Sequence, residues 1–482
     1  MNRTSPARAT RPPEHRSWAT VAGPRQYIRC SGVLRPQPPS INSGPQHAER
    51  APMPKHADPR TPLFLLAGLA LSALLGTSPA AGAAFEPEPP EAAVSDEADE
   101  AADEQILPRE WRLVRAYARR AVNLGEIPGV VTLVVHNDET VFRDAQGHAD
   151  LEADRRLDPA DLFAIASVSK PVTSTVLLLL ADQTDFDLDA PVSKYLPEFE
   201  GVGLIEGGNA SRAPTIAELL SHTGGVPGGT IPEVRARYRT GDIGSTLEAF
   251  ASAAARLGLE AEPGSAFAYG GLGYAVAARA AEVSSGKDFQ TLCNELLFEP
   301  LGMKSTTFTP TAEELDAGVR MFATSRNGFS QRARRDWGED RVINPGGGLY
   351  STADDLAKFA QWHLDAAAGK EGLSPPAPEG IARLRTPMPS AEGPRGRYAL
   401  GWQVAEHDGD APATRVHHGG ATGTLLWIDF EHNAAGVVLT QLPGSALFLG
   451  RMQALCIAAV TGERPQIERP ERPQRERPQR RR

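Results

Sequence analysis

Cysteine is scarce in this chain: three in 482 residues, Cys30, Cys293 and Cys456, with no Cys-x-x-Cys pair and no Cys/His spacing. Such a set builds no disulfide framework and offers no zinc cluster. Cys293 and Cys456 stand in apolar, helix-like contexts and read as plain buried thiols. An excess of positive charge is also missing. The formal net charge is -10 at pH 7, which argues against general affinity for nucleic acid. The apolar run Leu63–Leu75 falls well short of the roughly 20 residues that a bilayer core requires.

What is present around that run has the pattern of a secretory signal. Lys55, His56 and Arg60 precede it, and small residues ending in Ala81-Gly82-Ala83 follow it. Met53 would begin a signal of ordinary length, so residues 53–83 are expected to direct export and residues 1–52 to be an upstream extension. Read as translated, residues 1–52 are rich in Arg, Pro and Ser and poor in acids, which also fits an organelle transit peptide. Residues 84–106 are acidic, rich in Ala and Pro and without apolar period, as in a disordered linker. At the other end, residues 463–482 repeat Glu-Arg-Pro and Arg-Pro-Gln units that bury nothing. This tail is either a solvated, disordered end or a contact to an anionic envelope surface.

Between these ends, 41% hydrophobic content is that of an ordinary globular protein. Trp111, Val114, Ala118, Ala121 and Val122 are spaced as on a helix. Gly129 to Asp150 then alternates like a hairpin, with His136-Asn137-Asp138 as its turn. Ala164 to Gln183 is hydrophobic nearly all round and predicts a central, buried helix. Asp187 to about Cys293 predicts a helical subdomain inserted into a sheet-containing one. Thr352 opens a further helix, with Asp355 placed for its N-terminal cap. Strands are expected at Ala399–Val404, Thr414–His418, Thr424–Asp429 and Gly436–Gln441, and a closing helix at Ala446–Val460. The fold class is therefore α/β plus α: an antiparallel β-sheet flanked by helices, with one domain over 107–462.

Chemistry enters at Ser167-Val168-Ser169-Lys170, at the head of the buried helix. Three residues apart on a helix, hydroxyl and amine share one face, as a serine nucleophile requires of a lysine base. Alone the pattern is weak, since a chain of this length holds about one or two such matches by chance. Two later segments strengthen it: Tyr269, between Pro263-Gly264-Ser265 and Gly270-Gly271, and Val416-His417-His418-Gly419-Gly420-Ala421-Thr422-Gly423. Adjacent strand residues point to opposite faces, so only one of the two histidines can face a site; counting back from Gly423-Thr424 favours His418. A histidine pair without a carboxylate or third histidine at suitable spacing is not a metal site.

This order, Ser-x-x-Lys, then a tyrosine motif, then a glycine-rich histidine motif on a late strand, resembles the serine β-lactamase-like family. That family includes class C β-lactamases, D-Ala-D-Ala carboxypeptidases and β-lactamase-like esterases. The resemblance runs from about Pro108 to Gly462. It includes Lys194-Tyr195-Leu196-Pro197, Ser221-His222-Thr223-Gly224-Gly225, Gly346 to Phe359 and Tyr398 to Trp402. It implies Ser167 as nucleophile, Lys170 as base and Tyr269 as proton shuttle, its proton affinity lowered by burial beside a cationic lysine. It also implies His418, Gly419 and Gly420 at the substrate edge, with the Ala421 amide joining that of Ser167 as an oxyanion hole. Lys170 would be kept neutral by burial and a neighbouring positive centre. His222 reads as a structural loop residue.

Gly271 stands where the family commonly has Asn, and His418 where β-lactamases have Lys. Both departures weaken amide and β-lactam substrates and favour carboxylic esters, with a D-amino-acid peptidase or β-lactamase as the alternative. No metal and no organic cofactor is implied, and small-molecule esters, peptides or β-lactams are the expected partners. A different class, a catalytically inactive binding or assembly module, stays open at this point because of Gly271.

Overall fold

The computed structural model describes residues 107–228, 246–326, 328–332, 343–376, 378–389, 398–404 and 411–465. The expected extension, signal and linker of 1–106, and residues 466–482 of the tail, lie outside the described residues.

The described chain opens with helix α1 (Arg109–Asn123), whose buried face is Trp111, Val114, Ala118 and Ala121. Strands β1 (Gly129–His136) and β2 (Glu139–Asp150) follow as a hairpin. Its two-residue turn puts Asn137 at φ 52° and Asp138 at φ 70°, which these residue types tolerate best after glycine. β3 (Arg155–Arg156) and β4 (Phe163–Ala164) lead into helix α2 (Ser169–Gln183). The helical insertion carries α3 (Ile216–Leu220), α4 (Leu247–Leu257) and α5 (Leu272–Ser285). The hairpin β5 (Phe322–Ser325) and β6 (Gly328–Gln331), strand β7 (Tyr350–Ser351) and helix α6 (Ala353–Ala367) come next. β8 (Gln403–Val404), β9 (Arg415–Gly420), β10 (Thr424–Asp429) and β11 (Ala434–Leu439) complete the sheet, and α7 (Ala446–Thr461) closes the domain.

The seven-stranded sheet is antiparallel throughout, in the order β3-β2-β1-β11-β10-β9-β8. Its two faces bury separate cores. Val130, Val134, Leu425, Trp427 and Val438 pack with Trp111 of α1 and with Phe448 and Met452 of α7. Val131, Leu133, Leu426, Ile428 and Val437 face the other way, into the larger core built around α2, α5 and α6. Coverage on both faces is why β1, β10 and β11 read as unbroken apolar runs, and the alternation of these two sets is the period of a strand. Cys293 and Cys456 are buried free thiols in these cores.

Three boundaries differ from the expectation for a physical reason. The buried helix begins at Ser169 and not at Ala164, because Ala164 pairs with Tyr350 and Ala166 turns left-handed at φ 47°. Thr352 caps α6, its hydroxyl accepting from the Asp355 amide at 3.2 Å. The Asp355 carboxylate instead accepts from the Ser305 amide at 2.8 Å. The strand expected over Ala399–Val404 is reduced to β8, because Gly401 at φ 83° bends the chain ahead of it.

One pair of glycines tests the packing on the α1/α7 side. A Cβ on Gly436 would fall 2.5 Å from the ring of the fully buried Trp427, whereas one on the exposed Gly450 of α7 meets nothing within 4 Å. Gly436→Ala is expected to cost about 1–3 kcal/mol by overpacking. Gly450→Ala is expected to add about 0.5–1 kcal/mol by helix propensity. Denaturant midpoints of the two variants, moving in opposite directions, are the check.

Candidate active site

Ser167 sits on a single turn of 3-10 helix, Ala166–Val168, immediately ahead of α2. The approach to that turn is held on both sides. The Ile165 amide donates to the Leu349 carbonyl at 3.0 Å. The hydroxyls of Thr422 and Thr424 donate to the carbonyls of Ala164 and Ile165 at 2.6 and 2.8 Å. Ala166 then adopts a left-handed backbone, a strain of about 1–2 kcal/mol for a residue with a Cβ. The Ser169 hydroxyl holds this strain in place, donating to the Ala166 carbonyl at 2.6 Å while accepting from the Leu349 amide at 3.1 Å.

One turn on, Lys170 is 2% exposed. Its Nζ lies 3.2 Å from Ser167 Oγ and donates to the Gly346 carbonyl at 2.6 Å. It also sits 4.7 Å from the ring centre of Tyr269 and 5.4 Å from that of Tyr274. Burial pushes the amine down to about 7, so close to neutral pH a large fraction carries a lone pair. The sequence reading expected a neighbouring positive centre to share in this shift; burial is its cause. The fit around the amine depends on bare backbone. A Cβ on Gly401 would lie 2.8 Å from the Lys170 carbonyl, and one on Gly346 would lie 3.1 Å from the Cα of Gly271.

Tyr269 is on the loop ahead of α5 and is 41% exposed, with the Ser167 side chain close enough to its hydroxyl to bear on its acidity. Its acidity runs against expectation. Burial raises the phenol above its ordinary value, and the neighbouring Ser167 side chain offsets this only in part. Tyr269 therefore stays protonated and is equipped to donate and relay a proton. Gly271, two residues on, caps α5 with φ -99°, a backbone that any residue can adopt. It presents no side chain amide to a substrate.

The third segment is the end of β9. His418 pairs with Leu426 and His417 with Trp427, so the two rings take opposite faces. The His418 ring is the one beside Tyr269, with ring centres 6.3 Å apart. Its Nδ1 donates to the Gly419 carbonyl at 2.9 Å, so Nε2 is the nitrogen that accepts, and it takes the Tyr398 hydroxyl at 3.0 Å. Burial and the nearby Lys170 push His418 down to about 3, which leaves it neutral. β8 covers β9 only at Val416 and His417. Among the described residues the edge beyond, from His418 to Gly420, is open. A Cβ on Gly420 would lie 2.4 Å from the Ile165 carbonyl, so this glycine lets β9 close on the Ser167 turn. Ala421 follows at the tip, two residues before Gly423 at φ 85°.

Ser167, Lys170, Tyr269 and His418 are thus brought together, with Gly419, Gly420 and Ala421 along one side and Gly271 behind Tyr269. Three participants went unrecognised in the sequence: the Gly346 carbonyl, Tyr398 and His222. His222 does lie on a loop, but its ring centre is 4.5 Å from that of Tyr269 and 4.8 Å from that of Tyr398. Tyr398 and His222 sit inside segments that carry the family resemblance; nothing local marked them as site residues. Among the described residues no group of three His, Cys, Asp or Glu side chains is placed to hold a metal ion.

Comparison with known proteins identifies the family. The β-lactamase family model matches residues 114–456. Esterase EstB of Burkholderia gladioli is 28% identical over 340 residues, covering 64% of this chain and 82% of its own. The D-alanyl-D-alanine-carboxypeptidase/endopeptidase AmpH of Escherichia coli K12 is 29% identical over 242 residues, 49% of this chain and 58% of its own. Among solved structures, EstCE1, a hydrolase with promiscuous acyltransferase activity, shares the fold with a TM-score of 0.62 at 24% identity, over 74% of this chain and 99% of its own. The family match spans sheet, helical insertion and all three motif segments, and the chain belongs to the β-lactamase family of serine hydrolases.

Proposed function

We propose that this protein is an exported carboxylesterase that works through a Ser167 acyl-enzyme. The observation that carries the ester reading is His418. At the position where β-lactamases carry a lysine stands an imidazole that is neutral and has both nitrogens engaged, by Tyr398 and by the Gly419 carbonyl. It offers no cation to a substrate carboxylate, and Gly271 offers no side chain to an amide. An uncharged acyl group lying along the open edge of β9 meets neither deficit. EstB, named an esterase, points the same way. AmpH, named a carboxypeptidase/endopeptidase, keeps the peptidase alternative alive. Export rests on the 53–83 pattern alone.

In the proposed cycle, the neutral Lys170 amine takes the Ser167 proton, and Oγ attacks the ester carbonyl. The amides of Ser167 and Ala421 hold the oxyanion. As the tetrahedral intermediate collapses, the proton on Lys170 passes through the Tyr269 hydroxyl to the departing alkoxide. Water then attacks the acyl-enzyme, its proton passing through Tyr269 to Lys170, which returns it to the departing Ser167 Oγ as the acid is released. The donation to the Gly346 carbonyl uses one N–H of Lys170, which aims the lone pair at Ser167.

Two measurements test this. Intact mass after a fluorophosphonate should show one adduct on the wild type and none on Ser167→Ala, whose kcat/KM on p-nitrophenyl esters should fall by about 10³-fold or more. Turnover of a chromogenic cephalosporin or a D-Ala-D-Ala peptide far above that of p-nitrophenyl esters would overturn the ester assignment. The second is the pH profile. Lys170 acts only after losing its proton, so kcat/KM should rise with pH, level off above about 7, and fall about tenfold per unit well below it. A rate that stays flat down to pH 5 would rule out Lys170 as the base.

A further inference from the structure

His222 lies on the turn after α3, 5% exposed, in a left-handed backbone at φ 63°. α3 itself is firmly set. Thr215 and Glu218 form a capping box, and Arg212 pairs with Glu218 at 2.6 Å. From there His222 reaches the Tyr269 loop twice. Its carbonyl accepts the Ala268 amide at 2.8 Å, and its Nδ1 accepts the Gly270 amide at 3.3 Å. The two bonds bracket Tyr269 in the sequence, and the imidazole packs against the phenol between them. On its other sides the ring meets Tyr274 and Phe267, with centres 5.4 and 5.7 Å away. Tyr274 in turn donates to the Leu220 carbonyl at 2.6 Å, tying the same two segments together.

The protonation state follows from these contacts. Nδ1 faces an N–H donor, so its lone pair must be free and the ring hydrogen sits on Nε2, which has no partner among the described residues. Burial and the proximity of Lys170 and His418 hold the ring far below its ordinary value, in the neutral form. A protonated ring would turn a second N–H against Gly270 and set a charge beside Lys170.

We propose that His222 is the positioning residue for Tyr269: its backbone carbonyl holds Ala268 on one side of the tyrosine, its imidazole Nδ1 as acceptor holds Gly270 on the other, and the side-chain half of this clamp keeps the phenol on Ser167. This rests on the reading of Tyr269 as the proton relay to the leaving group. A merely structural histidine would, on substitution, lower all rates together. A positioning histidine lowers most the reactions that need the relayed proton.

The experiment compares kcat/KM for a p-nitrophenyl ester, whose phenolate leaves without a proton, with that for the ethyl ester of the same acid, whose ethoxide requires one. Tyr269→Phe is the reference and should lose at least about tenfold more on the ethyl ester. His222→Leu keeps bulk without an acceptor, and His222→Gly suits the left-handed backbone without an acceptor. Both should show the same discrimination, so strain at the turn cannot account for it. His222→Asn, which tolerates this backbone and can offer its amide oxygen to Gly270, should return the ratio to within about threefold of wild type. Equal losses on the two esters in both His222→Leu and His222→Gly, with discrimination intact in Tyr269→Phe, would overturn the clamp and leave the relay standing. No discrimination in Tyr269→Phe would refute the relay, and the clamp with it.

Discussion

A lysine amine held out of water is the constraint on which this site is organised. An ammonium ion in an apolar interior is costly unless a carboxylate pairs with it, and pairing would restore the charge and end its use as a base. Lys170 is given a hydroxyl and a carbonyl, Ser167 and Gly346, in place of a carboxylate. Aromatic rings close the remaining sides. The neighbouring titratable groups follow the same rule. His222 and His418 are pushed to their neutral forms, and Tyr269, Tyr274 and Tyr398 are held protonated. The result is a polar cluster in which the histidines and tyrosines are neutral and Lys170 is the group that titrates near neutral pH.

Such a cluster must be enclosed by backbone at close range, and glycine makes this feasible. Gly346 brings its carbonyl to Lys170, Gly401 passes over the Lys170 carbonyl, and Gly420 lets the end of β9 rest on the turn that carries Ser167. The threonines of the β9–β10 hairpin then lock this turn through the Ala164 and Ile165 carbonyls. The strained Ala166 is kept by contacts from three separate parts of the chain, as expected of strain stored at a reactive position. The same closeness leaves the end of β9 lined by small residues, where neither His418 nor Gly271 offers a substrate a cation or a side chain amide.

Much of the fold was legible because local chemistry decided it. The Asn137-Asp138 turn, the uncharged run Pro171–Ala181 of α2, the apolar run of β10 and the apolar closing helix each follow from residue types at strand or helix spacing. Of the site, Ser167 and Lys170 were legible because three residues along a helix put two side chains on one face. His418 was legible over His417 by strand parity and a count back from the following strand. The start of α2 was not, since what stops the helix at Ala166 is a set of hydrogen bonds from residues far along the chain. The cap of α6 was misjudged by three residues because Thr352 and Asp355 are both good caps, and only the tertiary contacts to Ser305 and Thr306 assign Asp355 elsewhere.

The sequence by itself determined that the Ser167 hydroxyl and the Lys170 amine would meet, the order of the three motif segments and the class of sheet that carries them. These depend on spacing along one helix or one strand, which the backbone period imposes. The tertiary structure alone decided the state of the protons: that burial lowers Lys170 to about 7, that Tyr269, packed against His222, keeps its proton, and that His418 is a neutral imidazole satisfied by Tyr398. Those properties depend on how far water is excluded and on which distant atoms supply the remaining hydrogen bonds. Both arise only when segments as far apart as Lys170 and Gly346 are packed together.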